Sequence, residues 1–293
     1  MSKKGKERSI ISNYDIKRKS VIVSYIIMVL FIVLIAISMI YPFLTTILSA
    51  FKTKQETYIF PPTLFPKEWI WSNFKEGFEY VDMMRLFGNT LLIYLGNIIS
   101  SLTVIGLASF SLSQMKLPFR KFFTLFFLCT LLIPSATYMI PNFLNLQSLG
   151  LIDSYWAFWL PAGCNAFYIL LLKGFFDGIH KELFEAARID GASEVRCFLQ
   201  VAIPLSVPVL ATIMIFTFTS TWNDWFWPSL IIQTPEKYPI ATGVYKTIVT
   251  SGNLAWNVKF AALTLTMLPP LIFFLIFQKN IMKGVNISGG IKG

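Results

Sequence analysis

Charge along this chain is confined to short stretches, and the intervals between them are long and apolar. Val21 to Phe51 carries no charged side chain, which exceeds the ~20 residues a helix needs to cross a hydrocarbon core about 30 Å thick. The excess implies tilt or helical extension beyond the lipid. A second apolar stretch runs from about Leu86 to Phe110 and a third from about Phe122 to Asn142. The fourth is Ser154 to Leu172, the fifth lies within Val201 to Ile232 with Asp224 as its sole charge, and the sixth is Phe260 to Gln278. The pattern predicts an all-α integral membrane protein with six transmembrane helices. Pro204 and Pro208 fit the entrance to the fifth helix, and Pro269-Pro270 predicts a kink interrupting the sixth, because proline removes an intrahelical bond and clashes with the preceding turn.

Composition supports the bilayer as solvent. Of 293 residues, 55% are hydrophobic and 14% charged, against roughly 25% charged in soluble domains. Disorder, collagen and disulfide scaffolds are excluded, since apolar content is high, Gly and Pro show no period, and three cysteines cannot staple such a length. A net charge of +10 first suggests nucleic acid, but its placement follows membrane topology. With the N-terminus inside, seventeen Lys and Arg fall in the N-terminal tail, the 111–121 loop, the 173–203 loop and the C-terminal tail, leaving eight outside. Basic loops resist translocation, so N-in/C-in is expected, with no nucleic-acid partner. The chain then divides into a cytoplasmic basic tail (1–20), a six-span region (21–279) holding a loop at 177–204, and a cytoplasmic tail (280–293). All eight tryptophans fall on the outer side, where indole rings anchor at the membrane interface or meet an external partner.

Several chemistries are absent. The basic N-terminal tail resembles the start of a signal peptide, but the apolar run far exceeds a 7–15-residue h-region and is read as a retained first span. Cys129 and Cys164 lie in spans and Cys197 in a loop, so packing is their simplest role. His180, the sole histidine, lies in a loop. The glycine-rich Gly284 to Gly290 has glycine where a phosphate-binding loop needs lysine. No nucleophile, base or metal cluster suggests an enzyme. A secondary transporter needs a coupling-ion site and usually a repeat, and neither is visible. Within the spans, Trp222, Asn223, Asp224 and Trp225 form a candidate substrate path, offering indole faces to sugar rings and polar groups to hydroxyls. Asp224 is a functional candidate by depth and equally a structural cap. Asn89, Asn97 and Asn165 read as helix-to-helix hydrogen bonders.

The most informative segment is the loop between the fourth and fifth spans. Residues 181–189 are good helix formers, Asp190-Gly191 is a turn, and Ser193 is placed to cap a second helix. Leu183, Phe184 and Ala187 with Val195, Phe198 and Leu199 form apolar ridges. Glu185, Arg188, Asp190, Glu194 and Arg196 form a charged rim. This is the makeup of a docking surface.

Glu185-Ala186-Ala187, three residues, Gly191, then nine residues to Val201, Ile203 and Pro204 resembles the EAA loop of binding-protein-dependent ABC importer permeases. The extended run through Ala192, with Phe198, Pro204, Leu205 and Pro208, is similar to the carbohydrate-uptake branch. Trp222-Asn223-Asp224, Trp227-Pro228 and the glycine-rich ending resemble its maltose-system, MalG-type half. Val201 stands where the pattern usually has Ile, and Ile203 where it usually has Leu.

The resemblance implies a type I ABC importer permease fold in the bacterial cytoplasmic membrane. It implies no catalytic residue, cofactor or metal in this chain, since ATP would be bound by partners: two ATPase subunits, a second homologous permease and an extracellular solute-binding protein delivering a sugar, with polyols or glycerol phosphates as alternatives. Glu185, Ala186, Ala187, Asp190 and Gly191 would contact an ATPase, with Gly289 and Gly290 of the tail as a second contact.

Overall fold

The computed structural model describes residues 19–250 and 253–289. The basic tail 1–18 and Gly290 to Gly293 lie outside the described residues. Among the described residues the secondary structure is entirely helical.

The first span is α1 (Lys19–Ala50), whose side chains are exposed along nearly its whole length until Leu48, Ala50 and Phe51 become buried. A loop containing the 3-10 turn Glu56–Tyr58 leads to α2 (Ser72–Tyr80). The second span is α3 (Met83–Ser100), a π turn at Ser101–Ile105 and α4 (Gly106–Gln114) in continuous register. The third candidate span is not one straight helix. It is α5 (Arg120–Thr130) and α6 (Ser135–Ser148), bent by 101°. Pro134 imposes the break, being extended itself and disfavouring helical geometry in the residue before it. The fourth is α7 (Trp156–Ala162) and α8 (Ala166–Asp177), bent by 40°.

After α8 come α9 (Lys181–Ile189), α10 (Glu194–Cys197), a π turn at Phe198–Ala202 and α11 (Ile203–Leu205). The chain then turns by 79° into α12 (Val207–Asn223). Val201 to Ser206, assigned by hydropathy to the fifth span, therefore belong to the elbow before it. Pro208 stands in the first turn of α12, where the missing N–H leaves no bond unmade, and Pro204 lies near the end of the helical run Glu194–Leu205. Beyond α12 lie α13 (Phe226–Ile231), the 3-10 turn Pro235–Lys237, α14 (Ile240–Val244) and a π turn at Tyr245–Val249. The last helix is α15 (Trp256–Gly289). Three helices are long and apolar enough to cross a membrane alone, and six spans result when each bent pair counts as one.

α15 stays helical through both Pro269 and Pro270. Pro270 frees the carbonyl of Thr266, and the indole N–H of Trp222 donates to that oxygen at 3.3 Å. A neighbouring helix thus supplies the missing donor, which is how prolines are accommodated where water is absent. The helical backbone also extends to Gly289, so residues 280–289 continue the sixth helix.

Buried apolar side chains gather in two clusters. One holds Phe110, Ile169, Phe176, Phe184, Cys197, Phe198 and Ile213, at the elbow end. The other holds Met83, Leu86, Ala157, Trp222, Ile232, Ile240 and Ala262, at the opposite end. Along α3–α4 the order is Leu86, then Asn97 and Ser101, then Ile105 and Phe110. The same apolar, polar, apolar order recurs along α7–α8 and α12, so these elements leave a polar layer at middle depth.

Candidate functional site

That polar layer surrounds a cavity of about 650 Å³. Thr217, Ser220 and Thr221 of α12 and Asp224, which follows its last residue, line it, spaced at i, i+3, i+4 and i+7, which is one face of a helix. On α6, Tyr138, Asn142 and Asn145 repeat that spacing, with Pro141 between them. Asn97 and Ser101 contribute from α3 and its π turn, Asn165 and Tyr168 from the start of α8, and Cys164, Phe158 and Trp227 complete the wall.

The break in the fourth span is built into this wall. The carbonyl of Ala162, at the end of α7, accepts from the Ser101 hydroxyl at 3.0 Å. Asn165 accepts from the N–H of Tyr168 at 3.1 Å and so caps α8. Interrupted backbone at membrane depth is tolerated where such partners exist or where it lines a cavity, and here both conditions hold. Asn97 donates to the Thr221 hydroxyl at 3.2 Å, while its own carbonyl oxygen is buried without a partner. Gly96, one residue earlier, allows Trp159 to lie against α3: a Cβ there would sit 2.1 Å from the indole nitrogen.

The four residues expected to line a path are divided by helical geometry, because successive residues point about 100° apart. Trp222 is buried, stacked on Phe218 with ring centroids 5.4 Å apart. With Asn223 it borders a separate, mainly apolar crevice of about 590 Å³ between α1, α12, α14 and α15. Asp224 alone of the four lines the polar cavity. It also accepts from the N–H of Trp227 at 3.1 Å, capping α13. Trp225 packs on Tyr245 at 4.2 Å. Of the three asparagines, Asn97 bonds helix to helix as expected, Asn165 caps its own helix, and Asn89 donates to the carbonyls of Glu236 and Tyr238 at 2.7 and 3.0 Å. Thr217, Ser220, Tyr138, Asn142 and Asn145 were not singled out by sequence, although their i, i+3, i+4, i+7 spacing was a readable signal.

The second candidate site is the elbow. α9 spans the stretch of helix formers, and Gly191 adopts φ +83°, a conformation that costs glycine little. Ala192 N–H donates to Ala187 at 2.9 Å and Gly191 N–H to Arg188 at 3.0 Å, the paired closure of a Schellman turn. Ser193 then accepts from the N–H of Arg196 at 3.3 Å, capping α10.

The apolar ridges separate into two faces. Phe184 and Phe198 are buried in the chain's own core, both against Phe110 at centroid distances of 5.9 and 5.4 Å, and Ala187 packs with them. Leu183, Val195, Leu199 and Ile189 remain exposed, Ile189 at 85%. Glu185, Ala186 and Asp190 are exposed beside them. Arg188 and Glu194 leave the rim to pair with each other at 2.8 Å, and Arg188 also donates to the carbonyl of Gln114 at 3.3 Å. The inner face therefore anchors the elbow to α4, and the outer face offers an apolar ridge bordered by two acidic side chains, Glu185 and Asp190. Close by, Asp177 gathers Ser113, Arg120 and Lys173 at 2.6–2.8 Å, tying the ends of α4, α5 and α8.

At the opposite end, Asp153 joins two loops. It accepts from the N–H groups of Gln233 and Thr234, the Thr234 hydroxyl and the Lys237 ammonium, all within 3.0 Å. Burial pushes its pKa up, but Lys237, the Thr234 hydroxyl and the two backbone donors outweigh burial and hold the carboxyl well below the usual range.

Residues 103–287 match the family model of binding-protein-dependent transport system inner membrane components. The chain belongs to that family. This inner membrane component is 30% identical to the sn-glycerol-3-phosphate transport system permease protein UgpE of Pectobacterium atrosepticum, over 85% of this chain and 91% of the relative. It is also 30% identical to the maltodextrin transport system permease protein MdxG of Bacillus subtilis, over 90% and 95% respectively. In the crystal structure of a bacterial ABC transporter involved in the import of the acidic polysaccharide alginate, one chain superposes with a TM-score of 0.83 at 25% identity, covering 89% of this chain and 98% of that one. The fold is thus that of a type I ABC importer permease, and the chain is a multi-pass transport component of the cytoplasmic membrane. Binding-protein-dependent transport implies an ATPase and a solute-binding protein as partners.

Proposed function

We propose that this permease forms half of the translocation path for a sugar and couples it, through the elbow at 177–204, to a cytoplasmic ATPase. A second homologous permease supplies the other half, and two ATPase subunits dock one per permease. Both termini and the elbow face the cytoplasm, and the Asp153 end faces the solute-binding protein. The reading is carried by one observation: the elbow's inner face is held by Phe110 and Gln114, while Leu183, Glu185, Ala186 and Ile189 on its outer face are exposed among the described residues. A helix held in this way moves as a rigid body when its partner moves.

The mechanism follows from that anchoring. ATP-driven closure of the ATPase pair displaces α9, and α9 carries α4 through the Phe110 contacts and the Arg188 bond. Because α3 and α4 are continuous through a π turn at the polar layer, displacement of α4 alters the wall of the cavity and the side to which it opens. The polar groups on α6 and α12 replace water around the solute's hydroxyls, with Asp224 at the α12–α13 junction as the one acid. Trp222 and Trp225 take the neighbouring role of packing the helices that frame it. The end of α15 at Gly289, with Gly290 beyond the described residues, is a second ATPase contact.

Gly191→Pro and Glu185→Lys test the reading. Proline cannot adopt positive φ and has no N–H for the turn, and lysine reverses the charge of the exposed ridge. Both variants insert into the membrane normally, and both lose ATP-dependent sugar uptake by the complete transporter. Normal uptake by either variant contradicts the assigned loop role.

A further inference from the structure

The cavity's charge balance bears on which solutes it accepts. Its wall carries amides, hydroxyls and phenols, with Asp224 as its one carboxylate and no Lys, Arg or His among the lining residues. Two of the chain's cations are paired elsewhere: Lys237 with Asp153 and Lys173 with Asp177, at 2.7 and 2.6 Å. An anionic solute in this space meets a carboxylate and no compensating cation among the lining residues, and like charges repel. An uncharged polyol meets donors and acceptors on several sides and the rings of Tyr138, Tyr168, Phe158 and Trp227. The volume also lies within the ~300–1,000 Å³ typical of small-molecule sites.

We infer that the cavity is a subsite for an uncharged polyhydroxylated solute, and that Asp224 is the residue that disfavours anions there. The inference rests on the proposed role of this chain as half of a sugar path, and it narrows the substrate class. One relative is named for sn-glycerol-3-phosphate and the solved structure for an acidic polysaccharide, whereas another relative is named for maltodextrin. By the chemistry of its wall, this chain aligns with the neutral solute. Asp224 is positioned for the task by the cap it forms. The bond from Trp227 N–H fixes Oδ1, so the carboxylate is held at the top of the Thr217, Ser220, Thr221 stripe.

The cavity contains its own reporter. Cys164 lines it and is exposed, while Cys197 is buried. In the assembled transporter carrying Cys129→Ser, Cys164 is titrated with neutral, cationic and anionic methanethiosulfonate reagents, alone and with maltotriose or sn-glycerol-3-phosphate at equal concentration. The anionic reagent is expected to react about tenfold more slowly than the cationic one, and maltotriose but not sn-glycerol-3-phosphate slows the neutral reagent. Asp224→Asn, whose amide oxygen still caps α13, narrows the ratio of cationic to anionic rates by about fivefold, and Asn145→Asp widens it.

Equal rates for the charged reagents, a ratio unmoved by Asp224→Asn, or protection by sn-glycerol-3-phosphate equal to that by maltotriose each overturns the inference, as does protection by neither solute. These readouts do not require ATP. Failure here with uptake still sensitive to the elbow variants removes only the assigned solute class. Intact uptake in the elbow variants removes the path reading itself.

Discussion

Asp153 shows how much one side chain can hold when its geometry is complete. It occupies a left-handed backbone conformation, φ +60°, and its four donors come from a loop about 80 residues away in sequence. Because its folded-state pKa is depressed, the stabilisation it provides is fully present above the unfolded value near 4 and is lost as pH falls through the folded value. The thermal stability difference between the native transporter and an Asp153→Asn variant is therefore expected to be constant from pH 5 to 8 and to shrink below about pH 4. The group is partly exposed, so the difference is modest, about 1–2 kcal/mol. A difference that varied between pH 6 and 8 would contradict the assignment. Gly96 presents the opposite case, a residue whose value is its lack of atoms. Gly96→Ala drives a methyl group into the Trp159 indole and separates α7 from α3, at a cost of about 1–3 kcal/mol typical of overpacking. Reduced thermal stability of the purified transporter, with partial recovery on Trp159→Phe, checks it.

At the scale of elements, the elbow is the part whose conformation was most legible in the sequence. Helix formers, a glycine turn and a serine cap are local signals, and local hydrogen bonds satisfy them without help from distant residues. The division of its apolar ridge was not legible, because which of Leu183 and Phe184 faces inward depends on Phe110, more than 70 positions away. How α15 accommodates its two prolines was hidden for the same reason, since the donor that replaces the lost proline bond is Trp222. The 101° bend within the third span was hidden because an unbroken apolar window records solvent preference and not direction. The polar stripe on α12 was readable at helical spacing and was missed by attending to four consecutive residues instead. The Phe110 cluster yields a prediction at this scale. Phe184→Ala removes a fully buried ring, a loss of about 3–5 kcal/mol in soluble cores, and loosens the elbow from α4. ATP hydrolysis by the assembled transporter is expected to persist while solute-stimulated uptake falls at least about tenfold. Leu183→Ala, on the exposed face, weakens ATPase retention during purification instead. If both variants behave alike, the two-faced description of α9 fails.

The whole molecule is organised as two apolar clusters with a polar layer between them. One cluster secures the elbow, the other secures the loops around Asp153, and the spans that connect them carry bends and π turns near the middle. In lipid, apolar contact alone does not drive helices together, so the tie points are polar: Asn97 to Thr221, Ser101 to Ala162, Ser109 to Ile169. α1, exposed along most of its length, has lipid or another chain as its environment. The all-helical membrane class could be read from composition and pattern, whereas the cavity could not, because it exists only once six separate helices converge. The account depends on the elbow meeting an ATPase from the cytoplasmic side. The most direct test places a single cysteine at Ile189, in a background lacking the native thiols, and probes it in sealed membranes of defined orientation. The account predicts modification by impermeant reagents from the cytoplasmic face only, protection by bound ATPase, and disulfide crosslinking to that subunit at a rate altered by ATP. Modification of Ile189→Cys from the outer face, or unimpaired ATP-driven import with no crosslink to any ATPase, would contradict it.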